Sequence, residues 1–153
     1  MGISQISKAS YDVRNEIINT VLNYYLIPLK SNTSIKIKGF IGNELNISMR
    51  DLCIISSNII KNAADALEGC SDNTREIKVE VRQGESFVLM KVKNTIMGKN
   101  IILANGIPIT NKSDSELHGF GIKNIISAVE KYDGRYSYRI ENSYYIAEVY
   151  LKI

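Results

Sequence analysis

From Asp12 to about Ile27, apolar residues fall at Val13, Ile17, Ile18, Val21, Leu22 and Tyr25. This three-and-four spacing puts one apolar stripe along a helix. Pro28 lacks an amide hydrogen and its ring crowds the preceding turn, so it stops or kinks that helix. Ile35, Ile37 and Ile41 alternate with polar residues or glycine, which predicts a strand, and Asn43 to Asn46 read as a turn. Helical spacing resumes from Met49 to Glu68, with Gly69 where a left-handed residue would close the helix. Ile77, Val79 and Val81 alternate with charged residues, Gln83-Gly84-Glu85 turns the chain, and Phe87 to Val92 returns as the partner strand. From Asn94 to Leu117 the pattern dissolves into Gly, Asn, Ser, Thr and Pro, a length associated with functional lids. Ile122, Ile125, Ile126 and Val129 predict a third helix closed by Asp133-Gly134. Tyr136 to Ile140 and Tyr144 to Leu151 predict two last strands around Glu141-Asn142-Ser143.

The order helix, strand, helix, hairpin, loop, helix, hairpin predicts an α+β fold. We expect a two-layer sandwich, a mostly antiparallel mixed sheet covered on one face by about three helices, because each amphipathic element must bury its apolar side on the other layer. At 153 residues with 44% hydrophobic content, one domain spanning 1–153 is expected.

The formal charge is +3, but Lys and Arg are spread without the runs of a nucleic-acid arm, so no nucleic-acid partner is expected. Cys53 and Cys70 have no zinc-type spacing and read as reduced thiols. No stretch approaches the roughly 18 apolar residues of a membrane span, and no signal-peptide pattern opens the chain. A cytoplasmic protein without membrane insertion is the expectation.

Two segments carry chemistry. At about 100° per residue, Asp51, Asn58, Asn62 and Asp65 fall within an arc of roughly 60° on the second helix, opposite Leu52, Ile55, Ile59, Ala63, Ala66 and Leu67. Most such stripes are simply solvated. Asn, however, is a poor helix former, and a solvated stripe would more readily carry Lys, Glu or Gln. The stripe therefore suggests a demand for side-chain oxygens, the hard ligands that Mg2+ takes while bridging substrate phosphates. The second segment is His118-Gly119-Phe120-Gly121-Ile122-Lys123-Asn124, which is expected to open the third helix, its free amides attracting phosphate. A flexible hinge is the bland reading of that pair. Neither a P-loop nor a dinucleotide fingerprint is present.

The combination of Asn58-Ile59-Ile60-Lys61-Asn62-Ala63, Val92-Lys93-Asn94 and His118-Gly119-Phe120-Gly121 resembles the GHKL ATPase superfamily, the Bergerat fold of gyrases, chaperones, histidine kinases and MutL. Within it the chain is similar to the ATP-binding domain of AgrC-type quorum-sensing sensor histidine kinases. The resemblance implies ATP and Mg2+ as cofactors. It makes Asn62 the Mg2+ ligand, with Asn58 one turn earlier in support, and Asp65 an aid to the metal shell. Asn94 stands where most members have the aspartate that accepts from the adenine amino group, and an amide oxygen can still accept. Ile96 replaces the first glycine of the adenine box and Gly98 matches the second. Gly119 and Gly121 match the phosphate-holding glycines, His118, Phe120 and Ile122 belong to the same box, and Gly98 to Leu117 would be the lid. Lys112 and Lys123 would add positive charge near the β and γ phosphates, unless they are plain solvated lysines.

GHKL members that hydrolyse ATP place an acid where this chain has Asn58, and an amide cannot take a proton at neutral pH. The resemblance thus implies a histidine protein kinase catalytic domain that donates the γ-phosphoryl group to a histidine elsewhere in two-component signalling. Implied partners are the dimerising histidine-phosphotransfer domain of a parent sensor, held at a membrane, and a downstream response regulator. The sole histidine, His118, lies in the glycine box and no dimerising helical domain precedes Asp12, so a monomer unable to autophosphorylate alone is expected. The alternatives are a non-catalytic nucleotide-binding or protein-interaction module and a single-stranded nucleic-acid binder, against which Tyr136, Tyr138 and Tyr145 are expected to pack on the sheet.

Overall fold

A computed structural model describes residues 10–97, 102–104, 107–109 and 112–153, with side chains described for 10–97 and 121–153. Asn15 starts the first helix, its side-chain oxygen accepting from the amides of Ile17 and Ile18, which would otherwise lack partners. Helix α1 spans Glu16–Leu26 and buries Ile18, Val21, Leu22 and Leu26. A short 3-10 turn, Ile27–Leu29, ends it at Pro28 as expected. Strand β1 (Ser34–Phe40) follows, then helix α2 (Met49–Leu67), whose first turn is capped by Ser48 accepting from the Asp51 amide. Strands β2 (Glu76–Gln83) and β3 (Phe87–Thr95) form the predicted hairpin. Two short strands, β4 (Ile102–Ala104) and β5 (Ile107–Ile109), pair with each other, and helix α3 (Lys112–Glu130) leads to β6 (Arg135–Glu141) and β7 (Tyr144–Lys152).

The fold is the expected α+β sandwich. A five-stranded mixed sheet runs in the order β1-β2-β3-β7-β6, with β1 parallel to β2 and every other pair antiparallel. Alternation sends Ile77, Val79 and Val81 of β2, Val88, Met90 and Val92 of β3, and Ala147, Val149 and Leu151 of β7 into one core under the helices. Helix α2 lies centrally, against α1 on one side and α3 on the other, with β3 and β2 beneath it. Its Leu52, Ile55, Ile59, Ile60 and Leu67 are all buried, each worth about 1.5–3 kcal/mol of transfer free energy.

Two local expectations change. Gly69 is not left-handed, since among the described glycines only Gly39 has positive φ; α2 instead tightens, with the Cys70 amide donating to the Leu67 carbonyl. The stretch from Asn94 to Leu117 is not one long loop. Asn94 and Thr95 continue β3, β4 and β5 form a small hairpin, and α3 begins at Lys112. Three-residue strands are too short to show a period, and the first turns of α3, Lys-Ser-Asp-Ser-Glu, lack an apolar one.

Candidate active site

Correctly read as helical, α2 nevertheless uses its polar residues for two different ends. Asp51 does not share the stripe's task. It is 4% exposed, accepts from the Tyr132 hydroxyl at 2.6 Å and pairs with Lys131 at 3.1 Å. The Tyr132 oxygen in turn accepts from the Ser48 amide at 3.0 Å. This network ties the start of α2 to the residues just after α3. The Tyr132 hydrogen bond in the first place, with those of Ser48 and Lys131 behind it, outweighs burial and holds the Asp51 carboxyl below the usual aspartate value. Asp65, at the other end of the stripe, is bridged by Lys61 one turn earlier at 2.6 Å, a hydrogen bond that holds the lysine's pKa up.

Between them lie Asn58 and Asn62, both half-buried. Asn58 turns its amide nitrogen back to the Ile54 carbonyl at 2.8 Å, which leaves its oxygen facing away from its own helix. It faces Gly121 on α3. A methyl at Gly121 would stand 3.1 Å from the Asn58 oxygen and 3.6 Å from the Asn62 oxygen. Two amide oxygens from successive turns therefore converge on a point where the facing helix has no side chain. Asn62 has no hydrogen-bond partner among the described residues.

The glycine segment differs from expectation in one respect. Because α3 starts at Lys112, His118, Gly119, Phe120 and Gly121 lie inside the helix and do not open it. Helix-interior amides point along the axis to carbonyls one turn back, so free amides at a helix start are not what this pair supplies. What Gly121 supplies is close approach to the asparagines. The side chains of Lys112, His118 and Phe120 and all of Gly98 lie outside the described residues, as do the surroundings of Gly119. Ile122 is a core residue at 4% exposure and Lys123 is exposed.

At the C-terminal end of α2, the sheet contributes Asn94. It is 1% exposed on the helix-facing side of β3, in register with Ile77 on one side and Tyr145 on the other, and its amide donates to the Thr95 carbonyl at 3.1 Å. The Cys70 thiol reaches both the Ala66 and the Thr95 carbonyls at 3.7 Å, pinning the end of α2 to the end of β3, and burial pushes this thiol's pKa up. The Thr95 hydroxyl accepts from the Glu76 amide at 2.8 Å and so holds β3 to the start of β2.

Over residues 47–152 the chain matches the model of a protein family, described as the GHKL domain. The chain belongs to this GHKL family. No curated protein sequence matches it. Among solved structures it is similar to the catalytic domain of the histidine kinase ThkA, at TM-score 0.68 and 13% identity over 92% of this chain and 93% of that one. It is also similar to the mycobacterial sensor histidine kinase MprB, at TM-score 0.59 and 14% identity over 90% and 92% of the two chains. The Acinetobacter baumannii histidine kinase AdeS follows at TM-score 0.60 and 12% identity, over 89% of this chain and 62% of AdeS. At these identities the likeness shows the fold: this GHKL domain has the architecture of histidine kinase catalytic domains.

The GHKL architecture brings Asn58, Asn62 and Gly121 together, places Asn94 on the sheet beneath the same helix, and leaves Asp51 elsewhere. Sequence reasoning did not find the tether that Cys70 and Thr95 make between α2, β3 and β2. Cys70 and Thr95 act through main-chain carbonyls and leave no pattern. The donor set suits Mg2+: the converging atoms are hard amide oxygens, and no cluster of three His, Cys, Asp or Glu competes among the described residues. Two oxygens are too few for a protein-only cage, which fits a metal completed by substrate phosphates and water. No helix among the described residues is long and apolar enough to cross a membrane.

Proposed function

We propose that this GHKL domain binds ATP with Mg2+ and serves as the catalytic domain of a sensor histidine kinase of the AgrC type, passing the γ-phosphoryl group to a histidine on a separate dimerising domain, from which a response regulator receives it. The observation that carries the reading is the convergence of the Asn58 and Asn62 amide oxygens on the side-chain-free Gly121. Asn62, with Asn58 beside it, would hold Mg2+, which would supply charge neutralisation at the phosphates.

The protein's own groups orient and exclude. Asn62, without a hydrogen-bond partner among the described residues and held within helix α2, is the metal ligand, and Asn58 stands beside it with its oxygen aimed by the bond to Ile54. Asn58 cannot remove a proton from water, so hydrolysis receives no general base from this position. Transfer to a neutral imidazole, already a nucleophile, needs none. Asn94 is the adenine acceptor in this reading, its oxygen available because its nitrogen is committed to Thr95. Asp65 remains a proposed aid to the metal shell, and Lys112, Gly98, Gly119 and the rest of the glycine box remain proposed parts of the phosphate site and the lid.

Calorimetric titration of the chain with ATP, with and without Mg2+, tests this. Micromolar to millimolar binding that requires Mg2+ and disappears in Asn62→Ala, with the melting temperature preserved, is expected. Absence of binding at millimolar nucleotide would assign the chain instead to the non-catalytic interaction module.

A further inference from the structure

The face of the sheet turned away from the helices is charged in an uneven way. Strand alternation delivers to it nine of the chain's Lys and Arg residues against four Glu, a net +5 where the whole chain carries +3. The basicity that looks dispersed along the sequence is thus gathered on one surface. Register sharpens it further. Lys36, Lys78, Lys93, Ile146 and Arg139 stand directly opposite one another across all five strands, in the order β1, β2, β3, β7, β6. At about 4.8 Å between strands this row is roughly 19 Å long and one side chain wide.

Like charges directly opposite on neighbouring strands repel, so Lys36, Lys78 and Lys93 in sequence are locally unfavourable. Partners within the protein compensate only part of the row. Lys78 pairs with Glu80 at 3.0 Å and Arg139 with Glu141 at 3.4 Å. Lys36 and Lys93 have no ion pair among the described residues, and Lys93 sits 4.2 Å from the centre of the Tyr144 ring. Two adjoining hollows share Lys78 and Lys93 as walls. One is bounded by Lys36 and Tyr144, the other by Arg139 and Ile146. A rule of sheet pairing broken twice in one line, at Lys36–Lys78 and at Lys78–Lys93, with open space above it, points to an occupant from outside.

We propose that this row is a docking site for an acidic stretch of polypeptide laid across the strands. An extended chain presents side chains to one side at intervals of about 7 Å, so a few alternate Asp or Glu residues can follow the row. Two other anionic partners fit less well. Single-stranded nucleic acid binds sheets by stacking bases on open rings, but here Lys93 covers Tyr144 and Arg82 covers Phe87 at 5.4 Å. A flat anionic membrane would press Glu76, Glu80, Glu141 and Glu148 against its own charge together, whereas a single extended segment meets only the three that line the hollows, Glu76, Glu80 and Glu141, of which Glu80 and Glu141 are already paired with Lys78 and Arg139. The proposal stands on the sheet alone and does not depend on the nucleotide reading of the opposite face.

Fluorescence anisotropy of a labelled oligoglutamate peptide titrated with the chain at low salt tests it, with oligouridylate and phosphatidylserine vesicles assayed in parallel. The peptide binds the wild type in preference to both. The triple variant K36Q/K78Q/K93Q loses at least ~10-fold in peptide affinity, with an equal or higher melting temperature and unchanged ATP affinity, while R50Q, at the start of α2, binds as wild type. K36E, on the edge strand, weakens binding in the same direction and serves if the triple variant does not fold. No peptide binding, equal binding by both row variants, or tighter binding of oligouridylate or vesicles overturns the proposal.

Discussion

Replacing Gly121 by alanine separates folding from ligand binding at the asparagine stripe. Gly121 lies within α3, does not have positive φ, and is buried. In a helix interior the exchange gains about 0.8–1 kcal/mol of propensity. Against that, the new methyl stands 3.1 Å from the Asn58 oxygen, so the amide must retreat by a few tenths of an ångström while its nitrogen is held 2.8 Å from the Ile54 carbonyl. Loss of that hydrogen bond costs about 1 kcal/mol. The two terms nearly cancel, and the melting temperature is expected within about 4 °C of wild type. Ligand binding has no such compensation, because the methyl fills the gap on which both amide oxygens converge. A loss of at least ~10-fold in ATP·Mg affinity, about 1.4 kcal/mol, is expected by calorimetry. In an Asn58→Ala background the methyl no longer meets the Asn58 oxygen, so the same exchange should then show its helix-propensity gain in the melting temperature, a non-additivity in stability that locates the steric effect in this contact. Unchanged affinity in Gly121→Ala, or full additivity in the double variant, would refute the reasoning.

Three further outcomes follow from neighbouring contacts. Asn94→Asp replaces a buried donor by an acceptor facing the Thr95 carbonyl, so the ligand-free protein should lose about 1–3 kcal/mol. A carboxylate there is also the stronger acceptor for an adenine amino group, so saturating ATP should raise the variant's melting temperature more than that of wild type; an equal or smaller rise contradicts the adenine assignment. Asp51→Asn removes a charge-assisted bond to Tyr132 and should cost about 1.5–3 kcal/mol at neutral pH. Since the folded pKa is depressed, this contribution is complete above about pH 4, the unfolded value, and vanishes as pH falls through the lower folded value. Melts of both proteins should therefore converge in acid, and a gap constant down to pH 2 would exclude the mechanism. Gly39, at φ +93°, has no room for a side chain, because a methyl there would overlap the Val81 carbonyl oxygen across the parallel pair. Gly39→Ala should cost about 3 kcal/mol or more and expose β1 amides to hydrogen exchange; protected β1 amides in that variant would show the strain to be absorbed elsewhere.

Residue pattern alone determined the core-facing parts of the three helices, the five strands of the main sheet and the two-layer arrangement, because burial on a helix or strand leaves a period of 3.6 or 2; β4, β5 and the polar start of α3 leave no such period. It also determined that Asn58 and Asn62 share one helical face, since their spacing is a property of α2 itself. What lies opposite a face is set by packing. Tertiary structure decided that Asp51 is spent on Tyr132 and Lys131 and that Gly121 is the residue across from both asparagines. It decided too that the glycines sit within α3, where polar first turns hide the helix from any periodicity. The cationic row is the plainest case: alternation sends each lysine to the outer side of its own strand, but only the register of five strands, brought together from residues 34 to 152, aligns them.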